Sequence, residues 1–311
     1  MGLENGLPSH DTFSRLVRLL DPQAFGRVFV AVLDDPGADG AGVLAIGGTT
    51  LQRSFDRAAG RSPLHVVTAF GAQARRVIGQ SAVLPGGNEI TAARALLETL
   101  CLEGALVTAD AIHARAETAA LILQRGGDYL LALKGNHPLL AAEVAGHCAD
   151  RDVNLKEYQT VDADHGRIET RIHRVDHDVD WLFSDRRSKG EPRFPGLACI
   201  ACVRSTRQSG ETKTTATRFY LSPARLTPER FAAAVRAHWA IGNAPHRVPD
   251  VTFDEDRARN RKDNGPETLT IPRKLTLNLL QKARPNLPVS RNRKRAGWSD
   301  AFARSVLGQM R

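Results

Sequence analysis

Apolar positions recur at helical spacing from the start of the chain. Phe13, Leu16, Val17 and Leu20 line one face of a stretch that Ser9 or Asp11 can cap. A second helix is predicted over residues 23–33 after Pro22, and residues 34–42 read as a Gly/Asp loop. Three strand-like runs follow at 43–46, 64–70 and 76–83, separated by turn residues. Asn88-Glu-Ile-Thr then opens a helix carrying Ile90, Leu96, Leu97 and Leu100 inward. Residues 105–109 form a short apolar run that ends at Asp110 and predicts a central strand. A helix over 114–124, closed by Gly126-Gly127, and a strand over 129–133 complete a strand–helix–strand unit. Such a unit makes its two strands parallel and neighbouring.

From about Tyr158 to Ser222 the period changes to two. The stretches 168–175, 197–203 and 213–220 predict a small antiparallel sheet with Gly210 in a hairpin turn. Helical pattern returns where Thr227 caps and Pro228 takes the first helical position. That helix sets Phe231, Val235, His238 and position 242 on one face. Gly242 and Pro245 argue that it weakens or breaks there. The fold class that results is α/β: a mixed sheet flanked by helices and interrupted by a β-rich insertion.

Charge changes the picture more than composition does. The 311 residues carry a net +9, with 42% hydrophobic and 25% charged residues, in the range of a soluble globular protein. Residues 257–311 hold fourteen Lys/Arg against three Asp/Glu, or +11, which leaves −2 for the first 256. A basic segment of that kind attracts phosphate backbones through counterion release; the plainer reading is a solvated basic tail. No apolar run reaches the roughly 20 residues of a membrane span, and the start lacks the pattern of a signal peptide. Cys101, Cys148, Cys199 and Cys202 are too scattered for a disulfide framework, so a reducing cytoplasm is expected.

Asp110 is the most suggestive single residue. A carboxylate at the carboxyl end of a central parallel strand points into the crevice where α/β sheets bind ligands, although Asp also commonly caps the helix that follows. Lys134, in Leu133-Lys-Gly-Asn-His-Pro138, follows the next parallel strand and is expected beside Asp110, where it could meet a phosphate. His238 and His246 read as DNA or core contacts rather than metal ligands. Cys199-Ile-Ala-Cys202 resembles half a zinc site, but strand spacing puts the two thiols on opposite faces and no second pair completes it. Both are expected in the core. The glycines of 37–42 lack a helix at phosphate-loop spacing, and Asp164, His165 and Ser205 are too loosely arranged for a hydrolase triad.

Several stretches taken in order span nearly the whole chain: Leu7-Pro-Ser-His-Asp-Thr-Phe-Ser-Arg; Ser54-Phe-Asp-Arg; Asn88-Glu-Ile-Thr-Ala; Val107-Thr-Ala-Asp-Ala; and Gly126-Gly-Asp-Tyr-Leu-Leu-Ala-Leu-Lys-Gly-Asn. His165-Gly-Arg-Ile-Glu-Thr-Arg, Arg236-Ala-His-Trp-Ala-Ile, Asp250-Val-Thr-Phe-Asp-Glu-Asp, Leu277-Asn-Leu-Leu and Arg295-Ala-Gly-Trp continue the series. Together they resemble the ISAs-type branch of the IS-four-like DDE transposases. The resemblance implies an RNase H-like core with the β-rich insertion before its last helix. On that reading residues 1–42 are an N-terminal helical remnant, and 43–157 are the first part of the RNase H-like core. Residues 158–223 are then the insertion, 224–282 the core-closing helices and 283–311 a basic C-terminal tail. The resemblance also implies a further N-terminal helical segment, which marks this sequence as a truncated copy.

The chemistry implied is cleavage and joining of DNA by two Mg²⁺ ions about 4 Å apart, held by three carboxylates. The first acid belongs in an Ile-Asp-Gly-Lys-Thr-Leu-like phrase, here Ile46-Gly47-Gly48-Thr49-Thr50-Leu51. The second matches Asp110. The third belongs in an Ile-Glu-Asn-like phrase, here Ile241-Gly242-Asn243. Asp110 is thus the sole catalytic and metal ligand carried over, and the chain reads as catalytically impaired. Arg247, Pro249 and Pro272 depart from the pattern too, and Pro272 is expected to interrupt a helix. The implied partner is double-stranded DNA at insertion-sequence ends, with room for a homodimer on DNA. Lys134, Arg236, His238, Trp239, Asn243, His246, Arg293, Lys294 and Arg295 are the candidate DNA contacts. Two alternatives stand beside this: a non-enzymatic DNA-binding remnant, and a nuclease in which Asp56, Asp250 or Glu255 replaces a lost ligand.

Overall fold

Short buried strands and capped helices follow one another along the chain. The computed structural model describes residues 6, 8–32, 42–150, 155–164, 167–183, 194–242 and 247–310. In chain order the elements are α1 (His10–Leu19), α2 (Pro22–Val32), β1 (Val43–Thr50), β2 (His65–Gly71), β3 (Arg76–Ala82), α3 (Glu89–Thr99), β4 (Leu106–Ala109), α4 (Ala116–Gln124) and β5 (Asp128–Leu133). They continue with α5 (Pro138–Asp150), β6 (Glu157–Asp164), β7 (Arg167–Asp176), β8 (Cys199–Ser209), β9 (Thr212–Ser222), α6 (Pro228–Ile241), α7 (Arg247–Phe253), α8 (Gly265–Ala283), α9 (Val289–Trp298) and α10 (Asp300–Leu307). No helix of the described residues is long and apolar enough to cross a membrane.

Two units share the chain. The first draws on Met1–Asp39, Gly47–Leu100 and Ala240–Arg311, the second on Gly40–Ile46 and Cys101–Trp239. In the first unit the C-terminal half of β1 is followed in the sheet by β2 and then β3. β2 and β3 are antiparallel, with a bulge between Ala69 and Phe70. Ser9 caps α1 by accepting from the Thr12 amide, and Asn88 forms a reciprocal capping box with Thr91 at α3. Arg18 on α1 pairs with Asp263 at 2.6 Å, and the Asn264 amide donates to the Leu20 carbonyl, fixing α1 to the start of α8.

α8 runs unbroken through Pro272, against the expected interruption. Pro272 offers no N–H to the Thr268 carbonyl, a defect that costs about 3 kcal/mol in an isolated helix. Contacts after the proline hold the helix in place. The Lys274 ammonium donates to Thr68 Oγ1 at 2.7 Å, and the Asn278 amide both accepts from the Val77 N–H and donates to the Val77 carbonyl. One side chain thereby satisfies both polar backbone groups of a buried strand residue. Residues 283–311, expected as a basic tail, carry α9 and α10. Val289, Ala296 and Phe302 of these helices pack on Leu279, Leu280 and Val306.

In the second unit the sheet begins with the N-terminal half of β1 and continues β4-β5-β9-β8-β7-β6. β4 is parallel to both neighbours, with Ile46 opposite Ala109 and Ala109 opposite Leu131. The expected small antiparallel sheet is present, but it is not separate. β9 pairs antiparallel with β5 through Phe219–Leu221 against Leu131–Leu133. The cause is the buried C-terminal end of β9, which covers the edge β5 would otherwise leave unpaired. Phe231 of α6 is fully buried over this sheet, edge-on to His173 and Tyr220 at 5.8 and 5.3 Å. Cys199 and Cys202 lie buried in β8, as expected of core residues.

Lys274 yields a stability prediction. Burial pushes its amine down from 10.5 to about 8, only partly countered by the charge of Glu255. Between those values the unfolded chain binds the proton and the folded chain does not, so stability rises with pH across that window. Below pH 8 the folded protein carries the whole cost of the buried charge, on the order of 3 kcal/mol. Lys274→Met should therefore gain most over wild type near pH 7, and that advantage should shrink by about 3 kcal/mol as pH rises towards 10.5. Urea unfolding of both proteins at several pH values measures the difference; a flat difference would refute the buried charge.

Candidate functional site

β4 leads the chain from a fully buried interior to an exposed carboxylate in one step. Leu106, Val107, Thr108 and Ala109 are buried, whereas the Asp110 side chain is 68% exposed. A single 3-10 turn, Ala111–His113, follows before α4 begins. The capping role open to Asp110 is not taken: its side chain makes no cap hydrogen bond to that turn.

The carboxylate instead faces His238 of α6. Thr108 and Asp110 are two residues apart on a strand and project to the same side. The His238 ring reaches both, with Nδ1 3.0 Å from Thr108 Oγ1 and Nε2 3.7 Å from Asp110 Oδ1. The His238 side chain lowers the Asp110 pKa from its ordinary value against the opposing effect of burial, and the charges of His238, Lys134 and His113 act in the same direction. α6 aims the histidine inward because its first turn is capped, Thr227 Oγ1 accepting from the Arg230 amide, and because Phe231, Ala234 and Val235 are buried in the core.

The Lys134 loop lies beside Asp110, as the parallel pairing predicted. Asn136 donates its amide to the Ala111 carbonyl at 2.6 Å, and His137 Nε2 meets the Ala114 carbonyl at 2.6 Å. These bonds tie the loop after β5 to the turn after β4. Lys134 itself is exposed.

The remaining sequence candidates fall into different settings. Arg236 donates to both carboxylate oxygens of Asp162, at 2.6 Å to Oδ1 and 2.5 Å to Oδ2, and Asp162 also pairs with Arg171. Trp239 is half exposed beneath the Arg218 guanidinium, 4.5 Å from its ring centre. Arg293 donates to the Thr252 carbonyl and lies over Phe253. Lys294 is exposed, and Arg295 covers Phe302 at 4.8 Å. Asn243 and His246 lie outside the described residues.

In the first unit α6 ends at Ile241, and a Cβ added at Gly242 meets nothing within 4 Å. The carboxylates weighed as replacements are committed locally there. Asp56 accepts from the Ala58 and Ala59 amides, Asp250 accepts from the Asp256 amide, and buried Glu255 pairs with Arg273 at 3.3 Å. Sequence reasoning missed a pair beside Gly48. His65 bridges Thr50 Oγ1 at 2.7 Å and Glu89 Oε2 at 2.9 Å, and a Cβ on Gly48 would come within 2.4 Å of the ring nitrogen and 2.7 Å of the Glu89 carboxyl. The signal was available: a glycine in a strand often marks such a close approach.

A family model described as transposase DDE domain matches residues 39–279. YbfL of Escherichia coli K12 is 34% identical over 290 residues, covering 89% of this chain and 74% of the relative. YhhI of the same strain, named as a candidate H repeat-associated transposase, is 34% identical with the same coverage. YncI of Escherichia coli O157:H7, named as a candidate transposase, is 34% identical over 319 residues, or 98% and 79% of the two chains. The chain belongs to the DDE transposase family. That family acts on DNA and depends on divalent metal ions. The residues here do not fit a two-metal set. Of the three positions where the sequence resemblance puts acids, only Asp110 bears a carboxylate, and among the described residues no three His, Cys, Asp or Glu side chains group to hold a metal.

The Asp110–His238 contact is testable directly. In ¹³C NMR of the side-chain carboxyls, Asp110 should titrate below the ordinary aspartate range in wild type, and its midpoint should move up in His238→Ala. An unchanged midpoint would show that the two groups do not interact. The sign for stability follows: this contribution is present above the unfolded aspartate value and is lost as pH falls through the lower folded one.

Proposed function

We propose that this chain is an insertion-sequence transposase of the ISAs-type branch of the IS-four-like group whose strand cleavage and joining is lost or nearly so, and which acts as a DNA-binding protein. One observation carries the reading: glycine stands at two of the three ligand positions, Gly47 and Gly242, leaving Asp110 alone. A hard divalent cation such as Mg²⁺ needs several oxygen ligands and net negative charge. One exposed carboxylate already facing a histidine supplies neither. The local hydrogen bonds of Asp56, Asp250 and Glu255 weigh against a nuclease with relocated carboxylates.

The substrate on this reading is the duplex DNA of insertion-sequence ends, and the +11 charge of residues 257–311 is the attraction that remains when the chemistry is gone. Assembly as a homodimer on DNA and a place in the cytoplasm belong to the same proposal. The scattered spacing of the four cysteines, three of them buried, supports a reducing compartment.

The test is strand cleavage and joining on DNA carrying the element's ends, in Mg²⁺ or Mn²⁺. It compares the chain with a Gly47→Asp, Gly242→Glu double variant. A Cβ added at Gly242 meets nothing within 4 Å among the described residues. The double variant should be active and the unmodified chain weaker by more than about 100-fold, since losing even an outer-shell residue of a metal site costs up to that much. Activity of the unmodified chain that Asp110→Ala abolishes would overturn the proposal.

A further inference from the structure

α9 reads Val-Ser-Arg-Asn-Arg-Lys-Arg-Ala-Gly-Trp, four cations and no acid in ten residues. At about 100° per residue its side chains divide cleanly into two sets. Val289, Asn292, Arg293 and Ala296 fall on the inner side. Asn292 is fully buried and its amide donates to the Leu280 and Arg284 carbonyls at 3.0 and 3.1 Å. Arg293 donates to the Thr252 carbonyl, and Val289 and Ala296 pack on the Leu279–Leu280–Val306 cluster.

Arg291, Lys294, Arg295 and Trp298 fall together on the opposite arc, itself about 100° wide. Trp298 is 83% exposed, more than any other large apolar side chain of the described residues. Arg291 and Lys294 are exposed, and their side chains enter no ion pair or hydrogen bond among the described residues. The inward contacts hold the helix by its other side, which leaves this arc facing outward. A lone indole surrounded by cations is a poor protein-docking patch, which wants contiguous apolar area. It is well matched to a polyanion whose sugars and groove edges also offer apolar surface, as duplex DNA does.

We propose that the outward face of α9 docks duplex DNA, with Arg291 and Lys294 on phosphates and Trp298 against sugar and base edges. The proposal rests on the DNA-binding reading above and gives that reading its surface. The cations supply the salt-dependent attraction, and the aromatic ring contributes a contact that salt does not screen.

The experiment titrates a DNA duplex into the full chain at several salt concentrations and follows tryptophan fluorescence and anisotropy. Each phosphate contact contributes about 0.9 to the slope of log K against log salt. The Arg291→Ala, Lys294→Ala variant should therefore lose about 2 from the slope and bind about 60-fold more weakly near 0.1 M salt. Trp298→Phe should lose most of the DNA-dependent change in fluorescence while keeping the slope. Both variants should melt with wild type, because the substituted side chains lie on the exposed arc. Steep binding in wild type with an unchanged slope in the double variant would overturn this surface and leave the DNA-binding reading standing. Wild type without salt-dependent DNA binding would overturn both. A Trp298 response to anionic vesicles, or to protein concentration alone, without a response to DNA would assign the face to a lipid surface or a second copy and overturn the proposal.

Discussion

The second unit is organised by four residues that can exist only in a sheet's interior. Leu106–Ala109 are buried and are hydrogen-bonded in parallel on both sides, to β1 and β5. A strand so short gains little alone, and its position is fixed by the long-range pairing of its neighbours. Everything chemical in the unit is referred to it. Asp110 emerges where β4 ends, the loop after β5 is bound to the turn that follows, and His238 reaches the strand through Thr108. Moving β4 by one residue would draw Asp110 into the buried part of the sheet.

In the first unit the corresponding role belongs to α8, whose inner face carries polar groups rather than only apolar ones. Lys274 and Asn278 are buried, and each is satisfied by β2 or β3 through a specific hydrogen bond. Apolar packing alone would tolerate a slide of the helix along the strands; a side-chain amide bonded to both polar groups of Val77 does not. The same specificity explains why a proline is accommodated mid-helix. A helix anchored after the proline by directional bonds loses one internal hydrogen bond without losing its course.

How much was legible in the sequence depended on whether the signal was local. α1 and α3 announced themselves through Ser9 and Asn88, whose capping bonds form within three residues. β4 and the exposure of Asp110 followed from an apolar run ending in a carboxylate. α5 was less legible: Leu140, Val144 and Cys148 recur every four residues on its buried side, but His137 rather than a Ser, Thr, Asp or Asn stands immediately before its first residue, Pro138. β6 was illegible for a different reason. Its sequence, Glu-Tyr-Gln-Thr-Val-Asp-Ala-Asp, has little apolar alternation, and it is held by Arg171 on Asp162 and Arg174 on Glu157 from the neighbouring strand. Cross-strand charge pairs are visible only once the register is known. The same holds for Arg236, which reads as a free cation in sequence and is engaged with Asp162 in the fold.

On the proposed reading the fold is separable from the chemistry, because metal-binding carboxylates rarely stabilise the protein that carries them. Converging acids repel one another in the metal-free state, and their replacement by small residues relieves that repulsion. The positions here behave accordingly. Gly242 directly follows α6 and a Cβ added there meets nothing within 4 Å among the described residues, and Asp110 is largely exposed and makes no cap hydrogen bond. Neither supports the sheet. The residues that do support it, Thr108, Lys274 and Asn278, are buried and hydrogen-bonded, and their loss would leave unsatisfied polar groups in the interior. Substitution can therefore remove ligands while the core and the basic helices at the C-terminus keep their form. A transposase that loses its chemistry by this route retains the parts that attract and hold DNA.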